Sequence, residues 1–261
     1  MQKFNIQNRK GLQIIGNIYV PESSKGLAFV LHGLGGFKEQ QHMVTIQDTL
    51  FDDGYTVVNF DATNSIGESE GKYEDATMQN HYEDLVDVTE WAKTQEWYIE
   101  PFVLAGHSLG GFAVAKYAEE FPEKVKAVFP YAAVFSGKEN LETSYKFTPE
   151  ETKKWKETGW RVRISNSKPG TELRLPWSHV EERLKHELKP KAGKITMPIL
   201  FVVGEKDTSC PPDSQKSFYD LLPKETDKEF HIIKGAPHTF RDQEHLKELK
   251  EILDKWLKRI K

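Results

Sequence analysis

The stretch LAGHSLGG (104–111) sets one serine between paired glycines, where the apolar run 102–105 gives way to a helix-like segment. A G-x-S-x-G pentapeptide between a buried strand and a helix fits a turn so sharp that bulky neighbours of the serine would collide, which assigns Gly106 and Gly110 to the turn. Gly111 then lets the following helix approach the sheet closely. The pentapeptide alone is a weak pattern. A glycine-rich strand-to-helix turn can also cradle a phosphate, but a P-loop needs G-x-x-x-x-G-K-[ST] and a dinucleotide fold needs G-x-G-x-x-G, and neither occurs. HGLGGFK (32–38) is a second such turn and lacks both patterns too.

Outward from this turn, short β-type runs alternate with helical patterns, the signature of an α/β protein, with no internal repeat at solenoid spacing. Residues 4–9 and 12–20 read as an antiparallel pair turning at Lys10-Gly11. LAFVLHG (27–33), TVVNFD (56–61), FVLAGH (102–107), KAVFPYAA (126–133), MPILFVVGEKD (197–207) and KEFHIIKG (228–235) read as strands. Helices are expected over 39–53, 77–95, 109–121, 211–222 and 243–260. In the last, Leu246, Leu249, Ile252, Leu253, Trp256, Leu257 and Ile260 share one face that suits packing against a sheet. Residues 134–196 separate two strands by far more than an ordinary connection, which predicts a lid inserted between a core of residues 1–133 and 197–261. Within it PEETKKWKE (149–157) suits a helix with Pro149 in its first turn, and WRVRIS and TELRLPW flank NSKPG as a hairpin.

Composition excludes several partners. Apolar residues make up 38% and charged residues 29%, and 36 basic against 40 acidic side chains give a net charge of −4 with no basic cluster. Neither nucleic acid nor an anionic membrane is implied. Cys210 is the only cysteine, so no internal disulfide can form, and no run approaches transmembrane length. The opening MQKFNIQNRKGLQIIGNIYV alternates apolar and polar residues instead of carrying a signal-type apolar region, and a cytoplasmic monomer or homodimer is expected. No histidine pair has H-E-x-x-H spacing and no cysteine cluster exists, so no metal is expected, and a serine-based acyl transfer would need no cofactor.

A serine hydroxyl is a poor nucleophile without a base, an orienting acid and an oxyanion hole. Candidates stand at two further strand ends: ILFVVGEKD runs into Asp207, with Asp213 in reserve, and IIKGAPHTF runs into His238. In a mainly parallel sheet these ends share one edge with Ser108. His32 and His107 adjoin the two glycine turns and read as buttresses. The chain order Ser108, Asp207, His238 is that of α/β-hydrolases.

From the opening strands through HGLGG, GHSLGG, GEKD and APHTF to the last helix, the chain resembles an α/β-hydrolase serine esterase, most similar to compact carboxylesterases of the cinnamoyl/feruloyl type. That resemblance implies an oxyanion hole from the backbone N–H groups of Leu34 and Leu109. It also implies hydrolysis of small-molecule esters of short to medium acyl or aromatic acids. The segment usually written D-x-x-G-x-G-x-S reads DATNSIGES here, with Asn64 and Ile66 at positions where small residues are common. At the lid's start, where the resembled enzymes tend to carry an acidic residue, Lys138 stands nearest with Glu139 beside it. Trp155, Trp160 and Trp177, with Tyr145 and Phe147, either line an acyl pocket or form the insertion's own core. A thioesterase or serine peptidase would use the same three residues, and a ligand-binding protein could be built on the same scaffold.

Overall fold

The computed structural model describes residues 1–144 and 148–260. Two outer strands, β1 (Gln2–Gln7) and β2 (Gln13–Tyr19), pair antiparallel around a turn in which Gly11 takes a φ of 78°. Next come β3 (Gly26–Leu31), β4 (Tyr55–Phe60), β5 (Phe102–His107) and β6 (Val125–Tyr131), then, beyond an insertion, β9 (Ile199–Gly204) and β10 (Lys228–Ile233). All eight form one sheet in the order β1-β2-β4-β3-β5-β6-β9-β10, parallel from β4 onward. β3, β4, β5 and β9 are buried along their whole length, as strands covered on both faces must be.

Alternate residues of those strands point to opposite faces, so the sheet carries two cores. Leu27, Phe29, Leu104 and Phe201 join helices α2 (Met78–Ala92), α3 (Leu109–Glu120) and α7 (Pro212–Tyr219) on one side. Ala28, Val30, Val103 and Val202 join α1 (Gln41–Asp52) and α8 (Gln243–Arg259) on the other. Of the predicted α8 face only Ile252 is less than fully buried. The strand expected over 126–133 stops at Tyr131 because Ala132 turns into the left-handed region, φ 45°, while its N–H still reaches the Val202 carbonyl at 3.0 Å.

Residues between β6 and β9 form α4 (Gly137–Thr143), α5 (Pro149–Thr158), the hairpin β7 (Trp160–Ile164) and β8 (Glu172–Pro176), and α6 (Ser178–Arg183). Thr148 and Glu151 make a capping box at the start of α5, and Gly159, φ 76°, ends it. Trp155, Leu173, Leu175 and Val180 pack with Tyr73 of the main body into a small separate core. Glu182 of α6 ties this layer down by accepting the Met78 and Gln79 N–H groups, each at 3.0 Å, at the N-terminus of α2.

One buried carboxylate in α3 has a measurable cost. Glu119 is 2% exposed, its Oε1 has no hydrogen-bond partner among the described residues, and burial pushes its pKa up to about 8 against the pull of Lys191 and Lys116. The folded state therefore holds this proton more tightly than the unfolded chain, so stability falls as pH rises from about 4.5 through 8. Glu119→Gln is expected to gain about 1–3 kcal/mol over the wild type at pH 8.5 and to show almost no difference at pH 4.5. Denaturant titrations at the two pH values check this, and equal gains at both would contradict it.

Candidate active site

The site begins with the turn after β5. Ser108 has φ 55° and ψ −109°, a conformation a non-glycine residue adopts only when its surroundings impose it. What imposes it is crowding: a Cβ on Gly106 would lie 2.3 Å from the Gly110 carbonyl oxygen, and one on Gly110 would lie 2.2 Å from the Leu31 oxygen. The Ser108 N–H donates to the Tyr131 carbonyl at 2.9 Å, so the turn is also held by the neighbouring strand. The serine side chain projects from the sheet edge into the space under the insertion.

Two other strand ends meet it there. His238 Nε2 lies 3.0 Å from Ser108 Oγ, and His238 Nδ1 lies 2.8 Å from Asp207 Oδ2. Asp207 is buried, and its Oδ1 accepts the N–H groups of Ser209 and Cys210, both at 2.8 Å, which fixes the carboxylate plane. A carboxylate can only accept, so Nδ1 carries the imidazole proton and the Nε2 lone pair faces the serine. The acid and histidine loops are stapled together: Lys206 N–H donates to the Ala236 carbonyl at 2.9 Å, and Gly204 sits so close that a Cβ there would meet the same oxygen at 2.2 Å. Asp213, the reserve acid, is exposed in the first turn of α7 and takes no part.

Behind the histidine runs a column of rings. His107 Nε2–H donates to the His238 carbonyl at 2.9 Å, and its ring lies 4.6 Å from that of His238 and 4.6 Å from that of His42. Burial, and after it the proximity of His238, lowers the His42 pKa to about 3, so this support is neutral. His32 donates from Nδ1 to the Gly33 carbonyl at 2.8 Å and accepts the Ala62 N–H on Nε2 at 3.0 Å, holding the HGLGG turn against the end of β4. Leu34 lines the cavity beside Ser108, and Leu109 opens α3 directly after it. Among the described residues neither backbone N–H has a protein acceptor, as two donors awaiting an oxyanion would.

The cavity above Ser108 measures about 450 Å³. Of the candidate pocket residues only Trp155 lines it; this ring also forms the insertion's core and donates from Nε1 to the Leu175 carbonyl at 3.0 Å. Trp160, Trp177 and Lys138 do not line the cavity, and Trp177 instead packs against the insertion's own core, the other place open to it. Trp160 is 40% exposed on the outer face of β7 with the Arg174 guanidinium over its ring, Trp177 packs edge-on against Trp155, and Lys138 points to solvent from α4. Tyr145 and Phe147 lie outside the described residues.

Sequence reasoning missed the polar wall. Arg161, Arg163, Arg183, Arg241 and His179 all border the cavity. A signal existed in WRVRI, where alternation must put both arginines on one face and Trp160, Val162 and Ile164 on the other. Also missed was a buried ion pair beneath the HGLGG turn, Lys38 with Asp61, whose Nζ and Oδ2 are 2.9 Å apart.

Among the described residues no helix is long and apolar enough to cross a membrane. Among curated proteins the chain is similar to an uncharacterized 31.7 kDa protein of the traX-finO intergenic region of Escherichia coli, 25% identical over 251 residues and covering 85% of each chain. It is similar also to the mitochondrial palmitoyl-protein thioesterase ABHD10 of Mus musculus, 27% identical over 209 residues, 78% of this chain and 66% of that one. Among solved structures it is similar to Est1E from Butyrivibrio proteoclasticus with ferulic acid bound, at a TM-score of 0.82, 22% identity and 98% coverage of both chains. Mouse ABHD10 superposes at a TM-score of 0.80 with 20% identity and full coverage of both. Those two likenesses establish an α/β-hydrolase fold. The prolyl oligopeptidase family matches residues 41–261, most of the chain and all three residues of the Ser108–His238–Asp207 relay, and the chain belongs to that family.

Proposed function

We propose that the protein is a serine hydrolase that cleaves carboxylic esters, oxygen esters or thioesters, through an acyl-enzyme on Ser108. The observation that carries this reading is the unbroken relay from Ser108 Oγ to His238 Nε2 at 3.0 Å and from His238 Nδ1 to Asp207 at 2.8 Å, on a strained turn inside a cavity. His238 takes the serine proton as Oγ attacks the ester carbonyl, and Asp207 stabilises the resulting imidazolium. The oxyanion draws on the Leu34 and Leu109 N–H groups, each donor worth about 3–4 kcal/mol in comparable sites. Collapse of the tetrahedral adduct transfers the histidine proton to the leaving alcohol or thiol. Water, deprotonated by the same Nε2, then releases the acid and restores Ser108. No cofactor enters these steps.

A walled space of about 450 Å³ suits a small ester better than an extended polypeptide, which favours ester over peptide cleavage. The names of two relatives, a palmitoyl-protein thioesterase and an esterase with ferulic acid bound, support acyl transfer from sulfur or oxygen. Activity on straight-chain esters is expected to rise over the first few acyl carbons and then decline, since each buried CH₂ adds about 0.8 kcal/mol only while the wall still covers it.

The test is covalent. A fluorophosphonate probe should modify one serine, on the tryptic peptide containing Ser108, and p-nitrophenyl butyrate should give a burst of acyl-enzyme at the same residue. Turnover of proline p-nitroanilides above that of butyryl esters would favour a peptidase, and absence of labelling would end the proposal.

A further inference from the structure

The charge of the cavity wall opposes that of the whole chain. The protein carries 40 acidic and 36 basic side chains, yet among the described residues the cavity is bordered by four arginines and by no aspartate or glutamate. Arg183 is the telling one. It is 6% exposed, and burial lowers its pKa, the direction expected of a cation without enough compensating charge. Its guanidinium donates to Asn140 Oδ1 and, at 3.4 Å, to His179 Nε2. Neither partner is negative. His179 donates from Nδ1 to the Ala76 carbonyl at 2.8 Å, and burial lowers its pKa to about 4, so it is a neutral acceptor.

The charged and titratable groups that reach Arg183 are the Cys210 thiol, Glu182, Tyr73 and Arg161. Glu182 is already committed to His186, 2.5 Å away, and to the N-terminus of α2. Half-buried Arg163 donates to the Tyr73 hydroxyl at 3.4 Å and exposed Arg241 to Ser167 Oγ at 3.2 Å, and both acceptors are neutral. Among the described residues no carboxylate lies within ion-pair distance of Arg163, Arg183 or Arg241.

The hairpin sharpens the point. In β7 Arg161 and Arg163 share the inward face with Leu173 and Leu175 of β8, while Val162 on the opposite face is 51% exposed. Burial of Leu173 and Leu175 in the small core fixes which face turns inward, and it carries both arginines to the cavity with them. Keeping a guanidinium dry without a counter-charge costs several kcal/mol, and a ligand that brings the counter-charge recovers it.

We propose that the substrate carries, besides its ester, an anionic group, a carboxylate or a phosphate, that docks on Arg183 with Arg163 and Arg241 nearby. This rests on the ester-hydrolase reading above. Planar guanidinium forks suit two-oxygen recognition of either anion. The site would then prefer half-esters of dicarboxylic acids, or esters of anionic alcohols, over neutral esters of the same size.

Paired substrates test it. Monoethyl adipate against ethyl hexanoate places the charge on the acyl side, and 4-carboxyphenyl butyrate against 4-acetylphenyl butyrate places it on the leaving group. The wild type is expected to show a kcat/KM ratio of about tenfold or more in favour of the anionic member of one pair, which also names the side. Raising the salt from 0.05 to 0.5 M should shrink that ratio. Arg183→Gln should bring it toward one, whereas Arg174→Gln, on the outer face of the hairpin, should leave it unchanged. If Arg183→Gln does not fold, Arg163→Gln combined with Arg241→Gln takes its place. Inhibition of neutral-ester hydrolysis by glutarate or by inorganic phosphate distinguishes the two anions. Ratios near one in both pairs, with neutral esters turned over and Ser108 labelled, would overturn this inference alone. No turnover of any of the four and no labelling would overturn the ester-hydrolase reading with it.

Discussion

Ser108→Ala is expected to unfold at the wild-type temperature and to hydrolyse p-nitrophenyl butyrate about 10⁴- to 10⁶-fold more slowly. The two halves of this result come from different atoms. Alanine keeps the Cβ, so the backbone at φ 55° is no more and no less strained than before, and the N–H still bonds to the Tyr131 carbonyl. What disappears is Oγ, the nucleophile of the proposed acyl-enzyme. Nε2 of His238 would face a methyl group, and water would have to attack without the orientation that the serine supplies. Thermal unfolding by circular dichroism and initial rates at pH 7.5 check both halves. Residual activity above about 1% would mean that another residue carries the acyl group.

The relay could be read in the sequence because each part is tied to local chain geometry. Gly106 and Gly110 are required by contacts of 2.3 and 2.2 Å to backbone oxygens, so the elbow is written in residues that cannot be replaced by larger ones. Asp207 follows Ile199–Gly204, whose every residue is buried, which marks an interior strand, and His238 follows the edge strand Lys228–Ile233, which pairs parallel with it, so their ends share one edge. The hairpin of the insertion was legible for the same reason, through the NSKPG turn between two alternating runs.

The pocket wall was not legible, and alternation shows why. Period two says which residues of WRVRI share a face but not which face turns inward; that is decided by the partner strand, whose Leu173 and Leu175 are buried on the side of Arg161 and Arg163. Trp160, for which both the pocket and the insertion's own core stood open, lies outside the pocket, while Arg161 and Arg163 line it. Lys138 was placed by alignment to a resembled pattern alone, with no local constraint to orient it, and it faces solvent. Arg183, in a six-residue helix, carries no periodic signal at all.

Asp61→Ala should lower the unfolding free energy by about 3–5 kcal/mol, the largest loss expected from a residue that never touches substrate. Asp61 and Lys38 are both almost fully buried, and the carboxylate serves three donors: the Lys38 N–H at 2.7 Å, Lys38 Nζ at 2.9 Å and the Glu68 N–H at 2.8 Å. Burial would lower the Lys38 pKa, but its bonds to Glu39, Glu68 and Asp61 outweigh that and hold it above the usual lysine value. Truncation strands two backbone donors and takes from the ammonium its one fully dry counter-ion, since the side chains of Glu39 and Glu68 are 52% and 46% exposed. Gly67 leans on the same carboxylate so closely that a Cβ there would meet Asp61 Cγ at 2.1 Å, so the loop over 61–71 loses its anchor too. That loop supplies the Ala62 N–H to His32, which in turn holds the Gly33 carbonyl next to Leu34. Asp61→Ala should accordingly reduce kcat by about 10- to 100-fold even at temperatures where it is fully folded, because a donor displaced by 1 Å no longer meets the oxyanion. Combining it with Lys38→Met should cost less than the two single losses added together, since removing both charges leaves no buried ammonium unpaired. A melting temperature within 2 °C of the wild type for Asp61→Ala, or strict additivity in the double variant, would show that the pair is solvated in solution and that the HGLGG turn is held by His32 without it.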